Sequence, residues 1–453
     1  MKKLFPFLLL LPLFTKAQII NTFAGSAAYT TSGDGGPAID AGIYWPRGIA
    51  FDHKGNMYFV DNNTVRKVDA AGIVTTIAGD GIPGFSGDSS LAVAAKLNDP
   101  QGMAIDKAGN LYIAEQNNHV VRKVDTNGII TTFAGNYYYS GGYGAYWGPA
   151  DSAGLAWPTG LAFDTSGNLY IADMAGNINI VNIATDSIMS ILYNIHDTLF
   201  TLGISDITGV VVDNNGDIYF TGESNSAVYK ISTGGVNLAA NYGLIDSGTV
   251  HIVAGSGGTS GSSGDGGPAT AALLTFPYTL ALDKYHNLYI ADGDVTRIRV
   301  VDTSGIIHTI AGDGTMGFSG DGGSALLAEM DNIGSGEAFI SLDTAGNLYI
   351  SDNGNNRIRK VTAPMSAITL HSNAPGVAEN RIMIYPDPAT TQLTVRSTND
   401  LIHEMTITNV LGQKIQPAVH CSQYSITVDV SEWPDGVYFV CVNNTEVSKF
   451  VKK

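Results

Sequence analysis

The chain has 453 residues, of which 54 are glycine and only 14% are charged, and it carries a formal net charge of -17. The acidic balance excludes proteins that hold nucleic acid by neutralising phosphates, because that affinity rests on Lys and Arg displacing counterions. Abundant glycine with few helix-period apolar stretches predicts an all-β chain with many tight turns.

At the start, Lys2 and Lys3 precede the apolar run Leu4 to Phe14, and Thr15-Lys16-Ala17 offers the small residues that a signal peptidase reads. Residues 1–17 are therefore expected to be a secretory signal peptide, with Gln18 as the new terminus. The run is too short to cross a bilayer, and no later stretch reaches the ~20 apolar residues a spanning helix needs, so no transmembrane segment is expected. No cysteine follows the run, so no lipid anchor is indicated there.

From Asp52 onward a strand-turn-strand phrase returns six times. It begins as Asp52-His53-Lys54-Gly55-Asn56-Met57-Tyr58-Phe59-Val60-Asp61 and recurs at Asp106 to Glu115, Asp164 to Asp173, Asp213 to Gly222, Asp283 to Asp292 and Asp343 to Asp352. Units of this kind cannot bury their apolar faces alone and must stack. The second copy is complete. Pro100 to Ile105 and Leu111 to Ala114 form a hairpin, Val120 to Val124 a third strand, and Gly128 to Gly135 a fourth. Four short antiparallel strands make one propeller blade. The fourth strand recurs at Gly72 to Gly79, Gly248 to Gly255 and Gly305 to Gly312, and in degraded form near Ser187 to Leu192, but the sixth copy lacks it. Its equivalent, Ile19 to Gly25, stands at the other end of the domain. That strand is predicted to complete blade six and close a six-bladed β-propeller over residues 18–362, removing an exposed edge.

The phrases Gly346-Asn347-Leu348-Tyr349-Ile350 and Arg357-Ile358-Arg359-Lys360-Val361, with their variants in the other copies, resemble the NHL repeat family of six-bladed propellers over residues 19 to 362. Two copies depart from the pattern. Blade three has Asn177-Ile178-Asn179-Ile180-Val181 for its third strand, and blade four ends Asp217-Ile218-Tyr219-Phe220 without the usual acid.

After Val361 the period stops, and residues 363–380 read as a linker. Residues 381–453 show short β runs expected to form a small C-terminal β-sandwich. The segments Ile384-Tyr385-Pro386-Asp387-Pro388, Asn409-Val410-Leu411-Gly412-Gln413, Gly436-Val437-Tyr438-Phe439 and Lys449-Phe450-Val451-Lys452-Lys453 resemble the type A sorting domain of the bacterial type IX secretion system, with Asp387 in place of the usual Asn. The resemblance implies export across both membranes of a Bacteroidetes-type bacterium. It makes the type IX machinery a partner through residues 381–453 and implies cleavage of the domain, followed by release or attachment to the surface. An ordinary accessory β-sandwich is the plainer alternative. The only two cysteines, Cys421 and Cys441, fall here. A disulfide and two separate small buried residues are both compatible with the sequence.

Strand direction fixes what shares a face. If each first strand runs from face one to face two, the links between strands two and three and those between blades all lie on face one. Four inter-blade links carry related text at Ser32-Gly33-Asp34, Ser86-Gly87-Asp88, Ser263-Gly264-Asp265 and Ser319-Gly320-Asp321. None has the spaced oxygen ligands of a calcium loop, so structural turns are expected and no metal is assigned. A ring formed by Arg47, Gln101, Thr159, Thr208, Tyr278 and Ala338 is expected to line the mouth of the central channel. Arg47, Gln101 and Tyr278 are its candidate ligand-binding members. The link Asn136 to Trp147 carries six large aromatics among glycines. Tyr138, Tyr143 and Trp147 are candidate anchors for a sugar or protein surface, while a loop packed on its own aromatics fits the same residues.

These features predict a secreted or cell-surface binding or scaffold protein that takes a protein or glycan ligand on face one, with no catalytic residue and no cofactor. The alternative is a lyase or lactonase with a metal in the central channel. His53, His119, His196, His251, His286 and His308 fall at unlike positions of the repeat, which argues against their convergence on a metal.

Overall fold

A computed structural model of the chain describes residues 18–137, 147–191, 204, 206–233, 250–293, 296–331, 338–362, 382–385, 389–397, 402–409, 413–423, 425–442 and 446–452. The expected signal peptide and linker lie outside these residues. Blade one is Pro46–Phe51, Met57–Asp61, Thr64–Val68 and Val74–Ala78, hydrogen-bonded in that order. Five further antiparallel sheets repeat it, and blades two and three each gain a short fifth strand, Ser90–Leu91 and Trp147–Pro149. These edge strands were not legible in the period, because each is set by a link that differs from copy to copy.

The ring closes through the N-terminus. Ile20–Ala24 pairs antiparallel with Arg357–Val361, with Ile20 opposite Val361 and Thr22 opposite Arg359. Its other side is held too, since Ile20 N–H donates to Gly323 O at 3.1 Å and Gly322 N–H donates to Ile20 O at 2.9 Å. Ile20 is buried in a cluster that joins blades five and six through Ile298, Ile310, Ile350 and Val361. Fully burying one such aliphatic side chain stabilises by about 1.5–3 kcal/mol. Blade six is therefore built from both ends of the domain.

Each Ser-Gly-Asp link has a structural task. Arg66, Arg122, Arg299 and Arg359 of the third strands are fully buried. Each guanidinium meets the acid that ends its own second strand, Asp61, Glu115, Asp292 or Asp352, at 3.0 to 3.4 Å. It also meets the link aspartate, Asp34, Asp88, Asp265 or Asp321, at 2.6 to 2.9 Å. A buried guanidinium needs such partners, because its desolvation is not offset by packing alone. The link aspartate also reaches the fourth strand, where Asp88 accepts from Thr132 Oγ1 at 2.8 Å and Asp34 from Thr76 N–H at 3.0 Å. One carboxylate thus ties the link to two strands.

Among the described residues, blades three and four have neither the link aspartate nor the arginine. At the register position of the arginine, blade three has Asn179, whose amide donates to Asp173 at 3.1 Å. Blade four has Tyr229 there, and Gly222 where the acid would end the second strand. A Cβ on Gly222 would stand 2.8 Å from the Tyr229 ring, so the aromatic fills the space that the acid and arginine occupy elsewhere. The departures from the repeat are matched replacements.

The C-terminal unit is a sandwich of a three-stranded sheet (Ile382–Tyr385, Gln392–Ser397, Ser425–Asp429) and a four-stranded sheet ordered Lys414–Gln423, Ile402–Asn409, Gly436–Val442, Glu446–Lys452. Leu393, Val395, Met405, Ile407, Val440 and Phe450 share its core. Cys421 and Cys441 lie on strands flanking Ile402–Asn409. With strands 4.7–4.9 Å apart, two intervals put the backbones roughly 9–10 Å apart, beyond the ~7 Å that a disulfide spans.

Candidate functional site

The links between strands two and three and those between blades gather on one face, as strand direction requires. Between blades one and two they enclose a recess of about 320 Å³, lined by Tyr44, Trp45, Arg47, Asn62, Asn63, Pro83, Asn98, Asp99 and Asn117.

The exposed residues of this rim are not those the repeat frame suggests. Gln101 is 0% exposed and Tyr278 2%. Gln101 donates from Nε2 to Gln116 Oε1 at 3.1 Å, and the Tyr278 ring meets Phe339 edge-on at 5.4 Å. The expectation that they lie open at the mouth is corrected by the packing of the innermost strands. A Cβ at Gly48 would stand 2.1 Å from Gln101 O, and one at Gly209 would stand 2.6 Å from Tyr278 O. Inner strands this close leave the residue before each glycine wedged between blades. Thr159 and Thr208 are buried in the same way, with Thr208 Oγ1 donating to Tyr278 O at 2.9 Å. Arg47 alone of the three candidates lines the recess, ion-paired with Asp99.

The rim is made two residues earlier in the frame. Trp45, Asp99, Trp157, Asp206 and Phe276 occupy one repeat position, seven before the opening aspartate, and all have φ between 53° and 55°. Asp tolerates this left-handed conformation through local hydrogen bonds, whereas a bulky aromatic in it is strained. Trp45 is nonetheless 41% exposed, Trp157 44% and Phe276 36%. The preceding blade holds the backbone in place. Trp45 N–H donates to Asn356 Oδ1 at 3.0 Å, Asp99 N–H to Asn63 Oδ1 at 3.2 Å, and Trp157 N–H to His119 Nδ1 at 3.2 Å. Burial holds the His119 imidazole below its ordinary pKa, which keeps the ring neutral and able to accept that bond. The signal for this position was present in the sequence as Trp-Pro, Asp-Pro, Trp-Pro and Phe-Pro, the pair that opens four of the six first strands.

The aromatic link divides. Tyr137 stacks on Phe85 at 4.6 Å, and Phe85 lies under the Arg122 guanidinium at 4.9 Å, so the start of the link is packed on blade two. Tyr138 and Tyr143 lie outside the described residues. Trp147 opens the fifth strand of blade three, its backbone paired with Met189, at the outer edge of the sheet and remote from the channel.

The channel itself is a cavity of about 300 Å³ walled by Gly48, Gly102, Gly160, Gly209 and the aliphatic residues that follow them. Thr279 takes the glycine position in blade five and donates to Ala338 O at 2.7 Å. Among the described residues the lining contains no carboxylate, imidazole or thiol, so those residues do not fit the metal of the lyase or lactonase alternative. Asp173 of blade three is a buried acid facing asparagines instead of arginine, and burial pushes its carboxyl up to about 6.

A family model described as "Teneurin NHL domain" matches residues 26–82, 83–144 and 148–317, well over half of the chain. A second, "Secretion system C-terminal sorting domain", matches residues 383–453. The chain is 29% identical to Teneurin-3 of Danio rerio over 302 residues, which cover 60% of this chain and 11% of that protein. For Teneurin-3 of Mus musculus the covered share is 8%, so the chain spans about a tenth of the length of the curated relatives it matches. A solved auxiliary nutrient binding protein from Bacteroides thetaiotaomicron superposes with a TM-score of 0.54 at 19% identity, covering 76% of this chain and 75% of that one, and shares the fold. The sorting domain indicates export through the type IX secretion system to the cell surface or the medium of a Bacteroidetes bacterium. No described helix is long and apolar enough to cross a membrane.

Proposed function

The chain belongs to the Teneurin NHL domain family, and from that premise we propose that it is an exported binding propeller that takes a protein or glycan ligand on the face carrying its inter-blade links. The observation behind this reading is the left-handed aromatic rim of Trp45, Trp157 and Phe276. Strained backbone at exposed bulky residues persists only where surrounding structure imposes it, and such positions concentrate at binding sites. Exposed aromatics supply large contact area with little loss of side-chain freedom, as binding surfaces require. The superposed Bacteroides auxiliary nutrient binding protein is in keeping with a ligand-presenting propeller at the cell surface.

The test is an array of proteins and oligosaccharides probed with the full chain and with a Trp45→Ala, Trp157→Ala, Phe276→Ala triple variant. Hits lost in a variant that keeps its melting temperature support the reading. Hits that all survive the triple variant remove it.

A further inference from the structure

We propose that the recess between blades one and two is a binding site for an uncharged saccharide. This deepens the reading of the linked face as the binding face and rests on it.

The recess has a cause in the chain. The link between strands two and three of blade one is only residues 62–63, whereas blades two, four, five and six use four residues, as at 116–119 and 353–356. In blades two and six the longer link supplies an asparagine that plugs the neighbouring inter-blade loop, Asn118 donating to Gly84 O at 2.8 Å and Asn355 to Gly317 O at 2.7 Å. Blade one, with its shorter link, presents only Asn62 and Asn63 on its side of the recess. The wall is cut back, and the opening of about 320 Å³ lies at the small end of ligand pockets, which run from about 300 Å³.

The chemistry of the walls selects the ligand class. Arg47 and Asp99 are paired with each other at the floor. An anionic ligand meets Asp99 and a cationic one meets Arg47, so the pair favours an uncharged molecule. Asn62, Asn98 and Asn117 bring side-chain amides to the opening, and among the described residues those of Asn98 and Asn117 bond to no protein group. Each amide offers donor and acceptor together, which matches a hydroxyl that both donates and accepts. Trp45 provides the remaining requirement. Its ring is exposed and set against Tyr44 at 5.9 Å, and its backbone N–H donates to Asn356 Oδ1. An exposed aromatic plane beside neutral amides suits the C–H face and hydroxyl edge of a sugar ring. An extended peptide instead needs an open sheet edge or a longer groove.

The experiment is an array of neutral and acidic oligosaccharides probed with the full chain, followed by titration of the strongest neutral hit against Trp45→Ala, Asn117→Ala and Trp157→Ala. The expected result is binding of neutral members, weakened about ten-fold or more by Trp45→Ala and by Asn117→Ala and unaffected by Trp157→Ala, as for anchors in one pocket. Asn117 is exposed on a link, so Asn117→Ala decides the matter if Trp45→Ala fails to fold. Absence of any neutral hit, or neutral binding indifferent to Asn117→Ala, overturns the proposal. A protein ligand lost on Trp157→Ala with no saccharide bound removes this pocket while leaving the binding face standing.

Discussion

Thr22 Oγ1 donates to Asp321 Oδ2 at 2.7 Å across 299 positions of sequence, while the other oxygen of that carboxylate accepts from Arg359 Nη2 at 2.9 Å. The first strand of the domain is thereby tied to the last blade and to the link that enters it. Deleting Ile19 to Gly25 exposes the edge of Arg357–Val361 and strips Asp321 of one partner. The expected loss is several kcal/mol, on the order of one strand's pairing and side-chain burial. Chemical denaturation of the full chain and the deletion measures it, and superimposable curves would refute the closure.

The buried arginine staple predicts an asymmetric mutational response. Arg122→Tyr alone leaves Glu115 buried without its cation and should cost about 3–5 kcal/mol. Adding Glu115→Gly reproduces the Gly222 and Tyr229 pair of blade four and should recover most of that loss. A double variant no more stable than the single one would show that the two replacements are not a matched set.

Asp173 predicts a pH dependence. Its folded carboxyl is raised to about 6 by burial, above the ordinary value near 4 of the unfolded chain. The folded state therefore binds the proton more tightly, and this contribution to stability is complete below about pH 4 and lost as pH rises through 6. Between pH 7 and pH 5 the gain is about 1 kcal/mol. It should be read as the difference in pH dependence between the parent and Asp173→Asn, which removes the titrating group. Identical pH profiles would place the Asp173 carboxyl at its ordinary value.

The rim aromatics predict a trade between stability and binding. Trp157→Gly relieves a left-handed conformation that strains a bulky residue and should leave stability unchanged or raise it by up to about 1 kcal/mol, net of the greater freedom of the unfolded glycine. Affinity for a protein ligand of the linked face should fall at the same time, while saccharide binding in the recess that Trp45 lines should not change. A variant that unfolds instead would show Trp157 to be part of the packing between blades.

Processing predicts a mature chain beginning at Gln18 and lacking most of residues 380 to 453. Mass spectrometry of the surface and medium fractions checks both ends. An intact chain confined to the cytoplasm would remove the export claim.

By itself the sequence determined the blade count, the closing strand and the sorting domain, because period-two strands and turn glycines act locally and repeat. Asp52, Gly55, Asn56 and Tyr58 announce a turn wherever they recur, and the missing fourth strand of blade six could be matched to Ile19 to Gly25 by text alone. The channel and the rim were decided only by tertiary structure. Gln101 and Tyr278 stand at variable positions in an otherwise regular frame, yet the approach of Gly48 and Gly209 to neighbouring backbones buries them. The aromatics two residues earlier gained their exposure from a left-handed turn imposed by side chains of the preceding blade. Asn63, His119 and Asn356 exert that hold across the blade boundary, and what a side chain meets there is decided only when the blades pack.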